Sequence, residues 1–549
     1  MNKVPTAATL VIVSLVCTGA WAQSQRVDVG LDKQLLVDDL VIDSKTNVTR
    51  QLGQVTKVND GKPLLFTRKL RDGRWAPIDV WPLFASVYYD SARQKFRMWH
   101  RVSFNDRSRR ADEEVTTEEI GVGVDYYRAY SESDDGLHFR LVSLLQGLKT
   151  RGDTNLVVTI DEHEADPEYR YKIGYDGAAN NLPNGACLAY SADGIQWTPY
   201  NDGKPVTYRA SDFTNQIYWD EKIQAYRLLT RTDFGWGGGP FADRVDVSIE
   251  GHRLEVRGAR SMINPDVKRD PTNWTLEKHW LLDGQEKWTK DRPPLEQLLE
   301  NPDYLKRARE QAIRRQDYVM THWIYEGVYF GLMSVLEWPT DVSEGTETDY
   351  FTRHERSVEN FYIATSRDGI GWDMHWVYAG QPLVPRGPNG AWDKDMVFPT
   401  SQVITHEDKH WIYYGGTNER HGVAEKNIWF ERDGRLGLAW LRLDGFVGLR
   451  ADDEEGSITT KPFQLQGKNL ELNVDARDHG RVRVELLDAA GQPIDGFSGN
   501  HAEWTDGVDE LRFRPRWRGH TDLAPFAGKT VRLKIHLKNA RLYAFQIRT

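Results

Sequence analysis

The stretch Ser133-Asp134-Asp135-Gly136-Leu137-His138-Phe139 places an aromatic residue four positions after an aspartate, and the chain repeats this spacing three times more. The other copies are Ser191-Ala192-Asp193-Gly194-Ile195-Gln196-Trp197, Asp270-Pro271-Thr272-Asn273-Trp274 and Ser366-Arg367-Asp368-Gly369-Ile370-Gly371-Trp372. Three of the four obey the pattern Ser-x-Asp-Gly-x-x-Trp/Phe. Recurrence of one short unit along a chain indicates that one supersecondary element is used repeatedly. The repeat therefore predicts a β-propeller.

The residue types in this pattern suit a tight structural turn. An aspartate carboxylate accepts hydrogen bonds from nearby backbone amides, and glycine adopts a positive φ without steric cost. The aromatic side chain that follows fills the gap between neighbouring sheets. We expect the turns to lie on the outer, structural side of the propeller. Each turn then marks one blade, and its aspartate does no chemistry.

Pairs of apolar strands divide the chain further. Five such pairs begin near Asp79, Asp153, Asp212, Asp317 and Asp395. Helical spacing within Pro293 to Gln316 predicts an inserted helical hairpin, and short alternating runs after about Gly448 predict a separate sandwich. The predicted fold class is all-β, a five-bladed β-propeller followed by a C-terminal β-sandwich. The predicted organisation is a signal peptide (1–22), an N-terminal segment (23–75), the propeller (76–447) and the β-sandwich (448–549).

The beginning of the sequence predicts export. Residues 1–22 combine a basic start at Lys3 with an apolar run from Ala7 to Ala20, and small residues flank a cleavage position near Ala22. These are the features of a Sec signal peptide, so we expect a secreted or periplasmic protein with no membrane segment after cleavage.

Composition limits the classes of ligand. The formal net charge of −10 and the absence of a basic stripe argue against nucleic acid as a partner. Cys17 lies in the signal segment, which leaves Cys187 without an intramolecular disulfide partner. No His-Glu-x-x-His, Cys-x-x-Cys or calcium-loop spacing is present, so the sequence predicts no cofactor and no dedicated metal site.

A five-bladed propeller followed by a β-sandwich resembles glycoside hydrolase families 43 and 32, and the repeated Ser-x-Asp-Gly-x-x-Trp turn is seen across such propellers. The Trp-x-Asn-Asp-Pro-Asn-Gly motif and the Glu-Cys pair of family 32 are missing. Arg269-Asp270-Pro271 is similar to that family's Arg-Asp-Pro motif, but it occupies the position of an aspartate turn, and we interpret the match as a coincidence.

The resemblance implies an active site at one mouth of the propeller, formed by the starts of the inner strands and the loops after the second strands. By analogy with the blade-one aspartate of both families, Asp79 is the predicted base or nucleophile, and Asp212 is the predicted acid. Glycoside hydrolysis needs such a pair of carboxyl groups. The predicted substrate-binding residues are Arg101, Asp153, Asn155, Asp176, Arg231, His322, Asp395 and Arg420.

The leading hypothesis is a secreted glycoside hydrolase that cleaves a poly- or oligosaccharide. One alternative is a non-catalytic propeller that binds carbohydrate. Another is a sialidase-like hydrolase, which requires a sixth blade, a Tyr-Glu pair and three clustered arginines. At any single position, an aspartate just before a strand is as well explained by a turn that satisfies backbone amides.

Overall fold

The computed structural model describes two compact units built mainly of β-strands. The described residues are 26–70, 72–81, 83–103, 126–148, 156–176, 185–207, 214–234, 247–249, 252–254, 256–338, 357–420, 434–477 and 479–549. One unit comprises the described part of Met1–Thr49 together with Arg450–Thr549, and the other is Arg50–Leu449. The predicted signal segment lies outside the described residues.

The larger unit contains five groups of mainly antiparallel strands, here called blades 1 to 5, and the parallel pairing of Glu359 with Met396 joins blades 4 and 5 into one ten-stranded sheet. Blade 1 has strands Ser86–Asp90, Lys95–Ser103, Tyr126–Ser133 and His138–Leu144, with the short strands Asp79–Val80, Leu65–Lys69 and Trp75–Pro77 at its margins. Blade 2 has strands Leu156–Ile160, Tyr171–Asp176, Ala186–Ser191 and Thr198–Pro199. Blade 3 has strands Gln216–Asp220, Ala225–Phe234, Val256–Asn264 and Thr275–Trp280, and a separate hairpin pairs Val247–Ile249 with His252–Leu254.

Blades 4 and 5 follow the same order. Blade 4 has strands Arg315–Tyr325, Val328–Glu337, Val358–Ser366 and Trp372–Asp373, extended by Lys287–Trp288. The first strand of blade 5 is split into Met396–Pro399 and Ile404–His406, both paired with Lys409–Thr417, and the third strand is Arg435–Arg442. Its fourth strand is Thr56–Lys57, from the N-terminal side of the unit. The all-β, five-bladed prediction is therefore confirmed.

Each blade contacts the next, and the fifth contacts the first. The contacts, in order around the ring, are Tyr88 Oη to Val158 O at 2.9 Å, Tyr226 Oη to Asp161 Oδ2 at 2.8 Å, Tyr329 Oη to Asp220 Oδ1 at 2.8 Å, Glu359 N to Asp395 O at 3.2 Å and Tyr413 Oη to Gly136 O at 2.9 Å. In each pair the first atom is the donor. The sheets are thus arranged in a ring.

The aspartate turns occupy matching positions, since each joins the third and fourth strands of blades 1 to 4. In blade 2, Ser191 Oγ accepts from the amide of Gly194 at 2.9 Å, and Asp193 Oδ1 accepts from the amides of Ile195 and Gln196 at 2.7 and 2.8 Å. The turns of blades 1 and 4 repeat these bonds. The aromatic Trp197 is buried. These hydrogen bonds agree with the prediction that the turn aspartates have a structural role.

Two short helices and one longer helix accompany the blades. The helices are α1 (Leu295–Leu298), α2 (Pro302–Arg314) and α3 (His375–Tyr378). The Asn301 side chain caps α2 by accepting from the amides of Asp303 and Tyr304. Buried residues of α1 and α2 pack against the core between blades 3 and 4, which matches the helical insertion predicted there. Among the described residues, no helix is long and apolar enough to cross a membrane.

The smaller unit consists of two antiparallel sheets. In one sheet the strand order is Gln34–Leu35, Ala540–Arg548, Asn469–Asp475 and Asp509–Phe513. In the other it is Ile42–Thr46, Gly456–Thr460, Thr530–Lys538, Arg481–Asp488 and Thr505–Asp506, with Phe463–Gln464 also paired to Thr530–Lys538. Two further strands, Thr49–Leu52 and Val447–Ala451, contain the points at which the two units divide. Burial along Arg481–Asp488 alternates, as expected of a strand with one face in a sandwich core.

Candidate functional site

The chain path brings the starts of all first strands to one end of the ring. Four antiparallel strands return the chain to the end from which it set out, so each following blade begins at that same end. Adjacent first strands run in the same direction: the amide of Val158 donates to Ser86 Oγ at 3.0 Å, and the amide of Ile160 donates to Tyr88 Oη at 3.4 Å. We call the end where the first strands begin the upper mouth, and the opposite end the lower mouth.

A buried apolar cluster joins the strand starts of blades 1, 4 and 5. Tyr318 and Met396 pack in it with Phe84, whose ring centroid lies 6.0 Å from that of Phe398. Asp317 directly precedes Tyr318 in the chain, as Asp395 precedes Met396. The cluster thus packs the strand starts of blades 1, 4 and 5 together next to these acids.

Asp79 stands at the upper edge of blade 1. Its short strand pairs with the end of the second strand, opposite Ser103. Its Oδ2 atom is buried and has no hydrogen-bond partner among the described residues. Beside it, the backbone amide of Trp81 donates to Arg101 O at 2.9 Å, and the buried Arg101 guanidinium lies 5.1 Å from the centre of the Trp81 ring. A carboxylate oxygen without a partner is costly when buried, and such groups often belong to functional sites.

Asp317 is an acid of the upper mouth that the candidate list drawn from the sequence leaves out. Burial raises the pKa of Asp317 to about 7, although the charge of Arg231 lowers it. The Oδ1 atom of Asp317 has no hydrogen-bond partner within the described parts of the chain. Arg231 lies near the end of the second strand of blade 3, three residues before Phe234, and its guanidinium lies 6.0 Å from the Tyr318 ring. Near neutral pH this carboxyl group is divided between its protonated and ionised forms.

The neighbouring Arg257 and Gln316 hold this corner of the mouth in place. The backbone amide and Nη1 of Arg257 both donate to Gln316 Oε1, at 3.3 and 3.2 Å, and Gln316 Nε2 donates to Ala312 O at 3.0 Å. The Arg257 guanidinium lies 5.6 Å from the Tyr318 ring, on which Arg231 also lies. Two guanidinium groups from blade 3 therefore lie beside the Tyr318 ring, and the charge of one of them, Arg231, acts on Asp317.

Asp395 differs from Asp79 and Asp317 because two cationic side chains lie beside it. Lys394 Nζ contacts Asp395 Oδ2, and Arg420 Nε lies 3.8 Å from Asp395 Oδ1. The backbone amide of Asp395 donates to Thr417 O at 3.2 Å. An aspartate fixed by two cations serves better to position Arg420 than to transfer a proton.

His322 lies away from the strand starts, deeper within the same strand as Asp317. It is buried against the rings of Trp372 and Trp280, with centroids 4.8 and 6.0 Å away, and its Nδ1 lies 2.9 Å from Tyr218 Oη. Burial holds the pKa of His322 well below the usual histidine range. This environment keeps the imidazole neutral inside the core between blades 3 and 4.

The remaining predicted residues are described in part or not at all. Asp153, Asn155 and Asp212 lie outside the described residues, and of Asp176 only the backbone is described, at the end of the second strand of blade 2. Next to it, the buried hydroxyl of Tyr175 has no hydrogen-bond partner among the described residues, and burial raises its pKa.

Chemically, the described part of the upper mouth combines three aspartates, Asp79, Asp317 and Asp395, with a phenol and several guanidinium groups. Asp79 and Asp317 each present a buried oxygen without a partner, and Tyr175 presents a hydroxyl. Among the described residues, no group of three or more histidine, cysteine or acidic side chains is arranged to hold a metal ion. The arrangement suits acid–base chemistry on a polar substrate.

No protein-family model matches this chain, and no curated protein sequence matches it. Solved structures with a similar fold include a glycoside hydrolase family 43 arabinoxylan arabinofuranohydrolase from Bacillus subtilis in complex with cellotetraose, at 11% identity over 86% of this chain and 96% of that chain, with a TM-score of 0.32. Another is the family 32 β-fructofuranosidase BmSUC1 of Bombyx mori, at 10% identity over 89% and 94%, with a TM-score of 0.35. A third is a thermostable family-43 glycoside hydrolase, at 11% identity over 66% and 89%, with a TM-score of 0.37. The resemblance to families 43 and 32 is thus one of fold.

Proposed function

We propose that this protein is an exported glycoside hydrolase that binds a poly- or oligosaccharide at the upper mouth and cleaves a glycosidic bond there with paired carboxyl groups. The observation that carries the proposal is the environment of Asp317, whose pKa is raised to about 7 in the same mouth as Asp79. Hydrolysis of a glycosidic bond requires one carboxyl group that is protonated and one that is ionised. A buried acid with a raised pKa supplies the first near neutral pH.

The residues divide into roles by their surroundings. Asp79 acts as the base or nucleophile. Asp317 acts as the acid in place of, or together with, Asp212, the acid expected from the sequence. Arg101 and Arg231 are buried and carry donors suited to sugar hydroxyl groups or to a substrate carboxylate. A sialidase-like enzyme requires six blades, whereas the described residues of the larger unit form five.

Product release from a panel of neutral and acidic polysaccharides tests this proposal. On a substrate that the wild type cleaves, Asp79→Asn should lower kcat by several orders of magnitude with the fold intact, because an amide neither attacks nor accepts a proton. Asp72→Asn is the matched control, since Asp72 is an exposed acid of the same unit that pairs with Arg74; its kcat should be unchanged.

The outcomes separate the alternatives. Binding of a polysaccharide without product release would support the non-catalytic carbohydrate-binding protein instead. Full activity of Asp79→Asn would remove Asp79 from the mechanism.

A further inference from the structure

A second cavity opens at the lower mouth, where the first strands of blades 1 to 3 end. Its volume is about 610 Å³, within the range of small-molecule sites. Its walls include Tyr88, Tyr89 and Arg97 from blade 1, Thr159 and Asp161 from blade 2, and Trp219 from blade 3. The first strands run from the upper mouth to this end, so the cavity is separate from the acids Asp79 and Asp317.

Trp219 gives the cavity both an aromatic face and an unused donor. Its Nε1 atom is buried and has no hydrogen-bond partner among the described residues. The ring of His163 stacks on it in parallel, with centroids 3.8 Å apart and planes at 5°. The His163 side chain is 43% exposed, so a ligand can displace this imidazole from the indole face without disturbing the core. Amphipathic aromatic rings of this kind bind flat, partly apolar faces and offer a polar edge.

The polar groups of the cavity are mainly acceptors. Its lining holds four carboxylates, on Asp90, Asp161, Glu162 and Glu221, against the two guanidinium groups of Arg97 and Arg170. Lys172 Nζ lies 2.6 Å from Asp161 Oδ2 and neutralises that carboxylate. The three other carboxylates outnumber the two arginines, so the cavity repels a polyanion.

Arg97 is held rigidly as a donor in the wall. Its Nε donates to Tyr130 Oη and its Nη1 to Tyr171 Oη, both at 2.8 Å. A buried guanidinium that is fixed by two phenols loses little further entropy when a ligand hydroxyl approaches. The wall therefore offers ordered donors and acceptors next to an aromatic face.

We propose that the lower cavity is a second binding site, for a short neutral oligosaccharide. A neutral sugar chain has the properties that the cavity selects: many hydroxyl groups for the carboxylates and for Arg97, apolar ring faces for Trp219, and no charge. This inference goes beyond the proposed hydrolysis at the upper mouth, because binding here needs no cleavage.

Isothermal titration with cellotetraose, xylotetraose and maltotetraose tests the site, with tetragalacturonate as the charged comparison. In the wild type, at least one neutral tetrasaccharide should bind more tightly than tetragalacturonate. Trp219→Ala should weaken that binding at least tenfold. Trp75→Ala removes an exposed tryptophan outside the cavity and should leave the affinity unchanged.

A second variant keeps the test decisive if Trp219→Ala fails to fold. Ser91 lies exposed at the rim, so Ser91→Trp should obstruct the cavity and weaken binding by a similar factor. Asp79→Asn keeps the titration free of hydrolysis at the upper mouth, and weaker binding when Ser91→Trp is added to it assigns the ligand to the lower mouth. The proposal is overturned if no neutral tetrasaccharide binds, if tetragalacturonate binds more tightly, or if Ser91→Trp binds as the wild type does.

Discussion

Tyr413 of blade 5 donates its hydroxyl hydrogen to the carbonyl oxygen of Gly136, in the aspartate turn of blade 1, at 2.9 Å. The same relationship recurs between other blades. Trp99 Nε1 of blade 1 donates to Gly194 O of blade 2 at 2.7 Å, and Arg227 Nη2 of blade 3 donates to Asp368 O of blade 4 at 3.1 Å. A side chain from the second strand of one blade thus holds the aspartate turn of the next. The turns therefore join sheets as well as close hairpins.

The contact between Tyr413 and Gly136 can be tested by adding one methyl group. A Cβ at Gly136 would lie 2.6 Å from Tyr413 Oη and 2.9 Å from Trp411 Cζ3, whereas a Cβ at Gly73 meets nothing within 4 Å. Both glycines have a positive φ, +73° and +86°, so both alanine variants carry the same backbone strain. Overpacking should make Gly136→Ala less stable than Gly73→Ala by about 1–3 kcal/mol, measured by urea unfolding. Equal losses of stability in the two variants would mean that the contact between blades 5 and 1 adjusts to the added methyl group without cost.

The buried arginine between blades 3 and 4 has a larger expected effect. Arg227 is fully buried, and its guanidinium lies 2.7 Å from Asp220 Oδ2 and 2.8 Å from Glu277 Oε1. Arg227→Met would leave both carboxylates uncompensated, at a cost of about 3–5 kcal/mol in the free energy of unfolding. Arg477→Met is the matched control, because the Arg477 side chain is 60% exposed and pairs with Asp475 at the surface; its cost should stay below about 1 kcal/mol. Similar losses in the two variants would contradict the role assigned to Arg227.

The aspartate turns should make the propeller sensitive to acid. Burial by itself raises the pKa of Asp193, but hydrogen bonds from the amides of Gln196 and Ile195 and from Ser191 lower it overall. A carboxyl group with a lowered folded-state pKa stabilises the fold above its ordinary pKa, and this stabilisation is lost as the pH falls through the folded-state value. In Asp193→Asn the unfolding free energy should therefore fall less steeply below about pH 4. Parallel pH profiles for variant and wild type would show that the turn does not depend on the ionised carboxylate.

The blades could be predicted from local sequence signals. The pairings between distant segments could not be predicted in this way. The spacing from Asp135 to Phe139 and its copies locate the turn between the third and fourth strands, because a turn is specified by its own few residues. Nothing local indicates that Thr56–Lys57 supplies the fourth strand of blade 5, or that Ile42–Thr46 pairs with Gly456–Thr460. Such pairings depend on which edge remains free once the rest has folded.

In the candidate site, too, the positions of residues could be predicted from the sequence, whereas their surroundings could not. The sequence places Asp317 at the start of the fourth strand pair, but only the fold shows that the position is buried beside Arg231 and that its pKa is raised. His322 is the more conspicuous residue in the sequence, since histidine titrates near neutral pH. Its enclosure by Trp372 and Trp280 follows from packing between two blades, which no local pattern reveals.

Asp317 should affect stability in the opposite sense to the turn aspartates. Its folded-state pKa is raised from 3.8 to about 7, so the folded protein binds a proton more tightly than the unfolded chain does. The wild type should therefore lose stability as the pH rises from about 4 to about 7, by on the order of 1 kcal/mol for each pKa unit. Asp317→Asn, which cannot ionise, should lack this decline in urea unfolding across the same range. An unchanged decline in the variant would assign it to another group.

Leaving-group dependence separates the two candidate acids, Asp212 and Asp317. In an aryl glycoside with an acidic phenol, the phenolate is a good leaving group and departs without being protonated. Loss of the general acid should therefore lower kcat far less on that substrate than on an oligosaccharide. Asp317→Asn should show this contrast if Asp317 is the acid, together with loss of the activity decline above about pH 7. Asp79→Asn should be impaired on both substrates, because attack on the sugar is needed in either case. If Asp212→Asn shows the contrast and Asp317→Asn does not, the proton comes from Asp212 and Asp317 is not the general acid.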